Sequence, residues 1–168
     1  MVLGLAMLIG IFAVMATVTS SGNLVWAANF YCTGSSSCTG TDDPDKMQGD
    51  GQANNIDGRE GSDLMDGGAG SDQICGDTGD DQISGGSGED LIFGDSFLAG
   101  DCGTGGQGAD KISGGLGNDK IFHGGASLLS GSDSHKDIID CGPGTDEVWI
   151  NISVDHDVSA NCETVHAG

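Results

Sequence analysis

Basic and aromatic side chains are scarce in this chain of 168 residues. Five lysines and arginines stand against 26 aspartates and glutamates, which gives a formal net charge of −21. Because phosphate groups bind basic patches, this shortage excludes nucleic acid and anionic membrane surfaces as partners. Aromatic residues make up 5% of the chain, so a large aromatic core is excluded as well. A divalent cation is the counter-ion that best suits such an acidic chain.

Motifs of catalysis are also missing. The sequence contains neither G-x-S-x-G nor H-E-x-x-H. Its four histidines, His123, His135, His156 and His166, have no spacing typical of a metal site or a catalytic triad, and we expect them at the surface. Almost no residues lie outside a repeat region to form a substrate pocket, so we do not expect the protein to be an enzyme.

Charge is absent from the chain before Asp42. Residues 2–18 form an almost unbroken apolar run, and the small residues Val25 and Ala27 fit a cleavage site after Ala27. This pattern predicts a signal peptide over residues 1–27 and a secreted, extracellular protein. An uncleaved membrane anchor, with retention at the cell surface, is the alternative.

Six cysteines follow the predicted cleavage site, and an even number in an exported chain favours disulfides over a thiol metal site. Sequence alone does not choose the connectivity. Cys32–Cys38 would close a short local loop and Cys141–Cys162 would bracket the C-terminal segment, which would leave Cys75 and Cys102 for each other.

Glycine is abundant, with 32 residues, and from position 49 to 149 it recurs with a period of nine. Residues 85–93 read GGSGEDLIF and residues 105–113 read GGQGADKIS: three glycines, an aspartate in sixth place and an aliphatic residue in eighth. Two units are irregular. Residues 94–104 hold eleven residues, and residues 123–131 keep the length but lose the pattern.

The glycine-rich part of each unit predicts a tight turn, and the last three residues predict a short strand with its central side chain facing inward. Two units make one coil of eighteen residues, and we expect every unit, including the irregular ones, to form half a coil. The expected inward residues make two aliphatic columns: Ile56, Met65, Ile74, Ile83, Ile92, Ile112, Ile121, Ile139 and Val148.

Stacking at eighteen residues brings aspartates together, with Asp72 near Asp90 and Asp63 near Asp81. Carboxylates this close repel one another unless a cation lies between them. A site built from carboxylate and turn carbonyl oxygens, without sulfur or imidazole, suits Ca²⁺ better than zinc, copper or magnesium.

The repeat resembles the RTX, or haemolysin-type, calcium-binding nonapeptide GGxGxDxUx, and the resemblance covers about three-fifths of the chain. It implies an all-β fold, a parallel β-roll with several Ca²⁺ ions in its turns. Counting the pairs of turns in which both aspartates are intact gives roughly three to six ions. The implied aspartate ligands are Asp63, Asp72, Asp81, Asp90, Asp110 and Asp119, followed by Asp137 and Asp146. Backbone oxygens of turn glycines would complete the sites: Gly67, Gly68, Gly70, Gly85, Gly86, Gly88, Gly105, Gly106 and Gly108.

The domain organisation predicted from these patterns has four parts. The signal peptide occupies residues 1–27, an N-terminal cap with a cysteine pair residues 28–48, the calcium-binding roll residues 49–149, and a C-terminal strand cap residues 150–168. Arg59 and Asp77 replace glycine in second place and weaken their turns.

The thin aliphatic core and the charge of −21 suggest that the roll is largely unfolded without Ca²⁺, so calcium would trigger folding. The alternative function is a cell-surface or matrix adhesion module. In that case the outward residues Phe93, Phe122 and Trp149 form a binding surface, unless they are covered by the eleven-residue unit or the caps.

Overall fold

Strands of three to six residues, separated by glycine-rich turns, build the repeat region. A computed structural model describes residues 15–18, 24–35, 37–94, 108–123, 135–150 and 158–167. Glycine makes the turns possible because several of them require a positive φ: Gly70 has a φ of 116° and Gly88 one of 138°. The chain can therefore reverse direction every nine residues.

The N-terminal region holds an antiparallel pair of strands, β1 (Met15–Val18) and β2 (Leu24–Ala27). Both lie within the predicted signal peptide, which stays a prediction. Among the described residues, none belongs to a helix long and apolar enough to cross a membrane.

The rest of the described chain forms two parallel sheets, each with seven strands. One sheet contains, in spatial order, β3 (Asn29–Tyr31), β5 (Lys46–Gln48), β7 (Leu64–Ala69), β9 (Gln82–Ser87), β11 (Lys111–Leu116), β13 (Ile138–Asp140) and β15 (Val158–Ala160). The other contains β4 (Ser37–Thr39), β6 (Asn55–Asp57), β8 (Gln73–Cys75), β10 (Leu91–Phe93), β12 (Lys120–Phe122), β14 (Glu147–Ile150) and β16 (Thr164–Ala167). Successive strands alternate between the sheets, which confirms the predicted all-β parallel roll.

The core lies between the two sheets as two columns of side chains. In one column Met47, Met65, Ile83, Ile112 and Ile139 are in register, each directly above the next. In the other column Ile56, Ile74, Ile92, Ile121 and Val148 are in register. All nine aliphatic residues predicted to face inward are at most 3% exposed, so that prediction is confirmed.

The prediction that each of the two irregular units adds half a coil to the stack is wrong. β9 pairs directly with β11, so Ile83 stacks on Ile112, 29 positions further along rather than eighteen. β11 pairs directly with β13, so Ile112 stacks on Ile139, 27 positions further along. The pairing of β9 with β11 and of β11 with β13 therefore leaves out units 94–104 and 123–131.

Disulfides lie at both ends of the stack. Cys32 bonds to Cys38 with a Cα–Cα distance of 5.5 Å, and Cys141 bonds to Cys162 with a Cα–Cα distance of 5.2 Å. Cys75 is also disulfide-bonded, and its predicted partner, Cys102, lies outside the described residues. The pairings Cys32–Cys38 and Cys141–Cys162 are confirmed.

Parallel pairing continues on both sides of residues 49–149. β3 pairs with β5 and β4 pairs with β6 inside residues 28–57, whereas β15 and β16 extend the sheets at the C-terminal end. The two segments predicted to be caps thus contain strands of the same sheets. The domain boundaries themselves remain a prediction.

Candidate metal centre

The eight aspartates in sixth place of their units are buried at the edge of the roll, and they form two ladders. In the first ladder each backbone N–H donates to the Oδ1 of the aspartate one coil further on. The donor–acceptor distances are 2.8 Å from Asp45 to Asp63, 2.8 Å from Asp63 to Asp81, 2.9 Å from Asp81 to Asp110, and 2.7 Å from Asp110 to Asp137. One carboxylate oxygen of each of the four acceptors therefore ties two coils together.

The second ladder runs along the other edge with the same geometry. The distances from backbone nitrogen to side-chain oxygen are 2.7 to 2.9 Å. The members of this ladder are, in order, Asn54, Asp72, Asp90, Asp119, Asp146 and Glu163. All eight aspartates predicted as ligands thus lie in one ladder or the other. Predicted neighbours Asp72 and Asp90, and Asp63 and Asp81, are indeed stacked.

Three ladder members were missed by the sequence prediction. Asp45 stands eighteen residues before Asp63, so extending the period beyond position 49 would have found it. Asn54 fits the sixth place, but its side chain is an amide rather than a carboxylate. Glu163 follows Asp146 by seventeen residues, outside any glycine-rich unit, so the period gives no signal for it.

The second carboxylate oxygen, Oδ2, is what makes the ladders a candidate cation site. In Asp63, Asp72, Asp90, Asp119 and Asp146 this atom is buried and has no hydrogen-bond partner among the described residues. A buried anionic oxygen without a donor is costly, because it loses its hydration and gains nothing in return. A divalent cation bound to these oxygens would remove that cost.

Burial raises the pKa of four of these carboxyl groups, those of Asp63, Asp72, Asp90 and Asp119, in the absence of metal. Loss of hydration raises the pKa of Asp63 from its ordinary value of 3.8 to about 7, and the negative charge of Asp45 adds to the rise. Burial likewise raises the pKa of Asp90 and of Asp119 to about 6, and it raises the pKa of Asp72. In the absence of metal, these four aspartates therefore ionise less readily than exposed aspartates do.

Oxygen atoms converge on the first glycine of several units. A Cβ added at Gly67 would lie 2.5 Å from Asp72 Oδ2 and 2.5 Å from the carbonyl oxygen of Gly85, the equivalent glycine one coil on. At Gly85 the neighbours would again be an aspartate oxygen, Asp90 Oδ2 at 2.5 Å, and a glycine carbonyl one coil on. Each of these glycines thus leaves room beside a carboxylate oxygen and a carbonyl oxygen.

This donor chemistry fits Ca²⁺. Carboxylate and carbonyl oxygens from two turns form a hard, oxygen-rich environment, which calcium prefers over softer metals. Of the glycines predicted to complete the sites, Gly68, Gly70, Gly86 and Gly88 have positive φ values between 95° and 138°. Gly108 is buried, whereas Gly105 and Gly106 lie outside the described residues.

The two predicted weak turns adopt a strained backbone. Arg59 has a φ of 79° and Asp77 a φ of 70°, in the left-handed region that favours glycine. Both stand in second place of their units, where Gly68 and Gly86 have φ values of 95° and 104°. The fold thus imposes the conformation of glycine on two residues that carry side chains.

One histidine contradicts the expectation that all four lie at the surface. His123 is 1% exposed and lies between Asp110 and Asp137 of the first ladder. His135 and His166 are exposed, and His156 lies outside the described residues. The spacing gave no sign of this burial, because the unit that begins at His123 loses the nonapeptide pattern.

Comparison with known proteins agrees with this geometry. The family model for the RTX calcium-binding nonapeptide repeat, in four copies, matches residues 39–74, 76–97 and 103–127. No curated protein and no solved structure gives a significant match. The chain therefore belongs, through its repeat region, to the family of RTX calcium-binding nonapeptide-repeat proteins.

Proposed function

We propose that this chain is an exported protein in which Ca²⁺ ions, held between stacked turns, stabilise the β-roll and trigger its folding. The proposed aspartate ligands are the eight predicted ones, Asp63, Asp72, Asp81, Asp90, Asp110, Asp119, Asp137 and Asp146. Carbonyl oxygens of the turn glycines complete the proposed coordination. The observation that carries the proposal is the set of buried Oδ2 atoms, in Asp63, Asp72, Asp90, Asp119 and Asp146, that have no hydrogen-bond donor among the described residues.

Export is supported by the disulfides. Covalent Cys32–Cys38 and Cys141–Cys162 bonds persist in oxidising compartments and are rare in the cytosol. The extracellular space also supplies calcium at concentrations that weak extracellular modules can use. Secretion and calcium-dependent folding therefore fit one account, in which the chain orders after it leaves the cell.

A role for calcium in folding follows from the charge of the ladders. Consecutive carboxylates are held one coil apart by the hydrogen bonds from each N–H to the next Oδ1, so the roll cannot separate them without breaking its edges. Their mutual repulsion adds to that of a chain with net charge −21. Bound Ca²⁺ would turn this repulsion into attraction, and its binding free energy would become folding free energy.

Calorimetric titration of Ca²⁺ into the purified chain, after removal of metal, tests the proposal. We expect several ions per chain, and we expect Asp72→Asn to lower that number or the affinity because it removes one buried ligand charge. Asp42→Asn is the matched control, since Asp42 is exposed and lies outside both ladders. Equal binding by the two variants would contradict the proposed ligand set, and no binding by the parent chain would contradict the function.

A second candidate function, adhesion to a cell-surface or matrix partner, is favoured by a stack of aromatic rings on the outer face of one sheet. The ring centroids are 5.2 Å apart for Phe93 and Phe122, 4.2 Å for Phe122 and Trp149, and 4.5 Å for Trp149 and His166. Register aligns these rings because all four residues occupy paired positions on consecutive strands. A flat aromatic surface of this kind is typical of binding faces.

Capture of cell-surface material by the immobilised chain tests the second candidate. Combined substitution of Phe93, Phe122 and Trp149 by Ala should weaken capture, while circular dichroism in Ca²⁺ checks that the variant still folds. Leu116→Ala serves as the control, because Leu116 is a large exposed side chain on the other sheet. Equal capture by parent and triple variant would rule out the aromatic stack as the binding surface.

A further inference from the structure

His123 occupies a place in the coil that is otherwise taken by glycine. Along this edge of the roll the first residues of successive units are Gly40, Gly58, Gly76 and Gly94, and the backbone N–H of each donates across to the next coil. The N–H of His123 continues the series by donating to the carbonyl oxygen of Trp149 at 2.9 Å. An imidazole therefore projects where the preceding coils have no side chain.

The imidazole lies between two consecutive carboxylates of the first ladder. Its Nδ1 is 3.7 Å from Asp110 Oδ2, and its Nε2 is 2.5 Å from Asp137 Oδ2. All three side chains are fully buried, and one ligand atom from each lies within 4.8 Å of the others. Two carboxylates so arranged have the separation that a bridging Ca²⁺ ion requires, because calcium binds oxygen at about 2.3–2.6 Å.

The other turns leave that space open. At Gly58 an added Cβ would meet Asp63 Oδ2 at 2.5 Å, and at Gly76 it would meet Asp81 Oδ2 at 2.6 Å. At Gly94 the nearest atom is instead Nδ1 of His123, which an added Cβ would overlap. The ring of His123 thus fills the volume next to the ladder oxygens, and its nitrogens face the carboxylates where an ion would bind.

We propose that the imidazole of His123 takes the place of one calcium ion between Asp110 and Asp137. The gap between Asp110 and Asp137 in the first ladder is then filled by a protein side chain. The equivalent gap between Asp119 and Asp146 in the second ladder binds metal. The inference rests on the proposed function and narrows its ligand set: the pair of turns at Asp110 and Asp137 does not bind calcium, so Asp137 leaves the eight proposed ligands. His123 acts here as a specificity residue, because it decides where along the roll ions enter.

Calcium stoichiometry of matched variants, measured by calorimetry on the purified metal-free chain, tests this assignment. The His123→Gly variant has no side chain at this position, like the other turns. We therefore expect it to bind one more ion per chain than the parent. His135→Gly is the control, because His135 is exposed and should leave the count unchanged. An unchanged count in His123→Gly, with the variant folded in Ca²⁺, would overturn the inference.

A second pair of variants keeps the test decisive if His123→Gly fails to fold. Asp137→Asn should leave the number of bound ions unchanged, since Asp137 is stacked on Asp110, whose N–H donates to its Oδ1, and the gap between their two Oδ2 atoms holds no ion. Asp146→Asn, at the same position of the second ladder, should lower the number by at least one. Loss of an ion in Asp137→Asn would overturn the inference.

Two further outcomes distinguish failure of this inference from failure of the proposed function. Absence of calcium binding in the parent chain would refute the proposed function, whatever the variants do. A stoichiometric Zn²⁺ site in the parent chain that disappears in His123→Gly would overturn the inference in another way. It would show that the Asp110, His123 and Asp137 cluster binds a softer metal instead of excluding calcium.

Discussion

Replacement of Asp63 by Asn should have opposite effects on stability in the absence and presence of calcium. Asp63 is 2% exposed, and burial raises its pKa from 3.8 to about 7 in the metal-free roll. The amide of the Asp63→Asn variant has the same shape, and its oxygen can still accept the N–H of Asp45. The substitution therefore removes a buried charge and little else.

The magnitude follows from the pKa. The difference between 3.8 and about 7 corresponds to an upper limit of about 4 kcal/mol above pH 7. Relaxation of the turn and entry of water around the charged carboxylate reduce this to about 1–2 kcal/mol. In chelator at pH 8 we expect Asp63→Asn to be more stable than the parent by that amount. In saturating Ca²⁺ it should be less stable by about 1.4 kcal/mol or more, because a charged ligand is missing.

Denaturant unfolding followed by circular dichroism measures both differences. Sucrose in all buffers raises the population of the metal-free roll without supplying a cation. Asp42→Asn is the control and should change stability by less than about 0.5 kcal/mol in either buffer, because Asp42 is exposed. If Asp63→Asn destabilised the metal-free chain as it does the calcium-bound chain, the carboxylate would be a structural hydrogen-bonding group and the argument would be refuted.

The remaining predictions concern pH, the turns and the core. In chelator the free energy of unfolding should fall as pH rises from about 4 to about 7, because the folded chain, with pKa values raised to about 6 to 7, holds protons that the unfolded chain releases near 4. A stability that rises with pH over this range in denaturant titrations would contradict the raised pKa values. Gly88→Ala should cost about 3 kcal/mol or more in Ca²⁺, since φ is 138° and the new Cβ would overlap the carbonyl oxygen of Gly70. Gly51→Ala, where the space is open, should cost less than about 1 kcal/mol, and equal melting temperatures would refute the close stacking. Ile92→Ala should cost about 2–5 kcal/mol in Ca²⁺ against less than about 1 for the exposed Leu116→Ala, as measured by denaturant unfolding.

The regular part of the fold could be predicted from the sequence because its period determines its geometry. A turn of six residues and a strand of three put position eight inward and stack residues eighteen apart. Ile74 on Ile92 and Asp72 on Asp90 follow directly from that arithmetic, and the structure confirms both. The family resemblance could also be recognised from the residues, whereas the two terminal disulfides were only among the pairings that the sequence left open.

The irregular units could not be placed in this way. A period counts residues along the chain, whereas the roll requires only that the next strand enter in register. Asp81 therefore finds Asp110 at 29 residues with an ordinary hydrogen bond of 2.9 Å, although an eleven-residue unit intervenes. Additional residues between two coils cost little free energy, because the closure entropy of a loop grows slowly with its length.

His123 escaped prediction for a related reason. Its position as the first residue of a unit is recognisable, but a histidine at a glycine position next to a patternless segment suggests an exposed loop. Only the stacking of Asp110 on Asp137 shows that the ring is enclosed. Sequence patterns thus predict which coils are alike, and three-dimensional structure is required to see where one coil differs.

Circular dichroism of the metal-free chain during addition of Ca²⁺ tests the central claim most directly. We expect a cooperative gain of strand signal that reverses on addition of chelator and does not occur with Mg²⁺, which retains its water ligands. The same strand signal in chelator and in calcium would contradict the claim. In that case the core and the disulfides would hold the roll without metal.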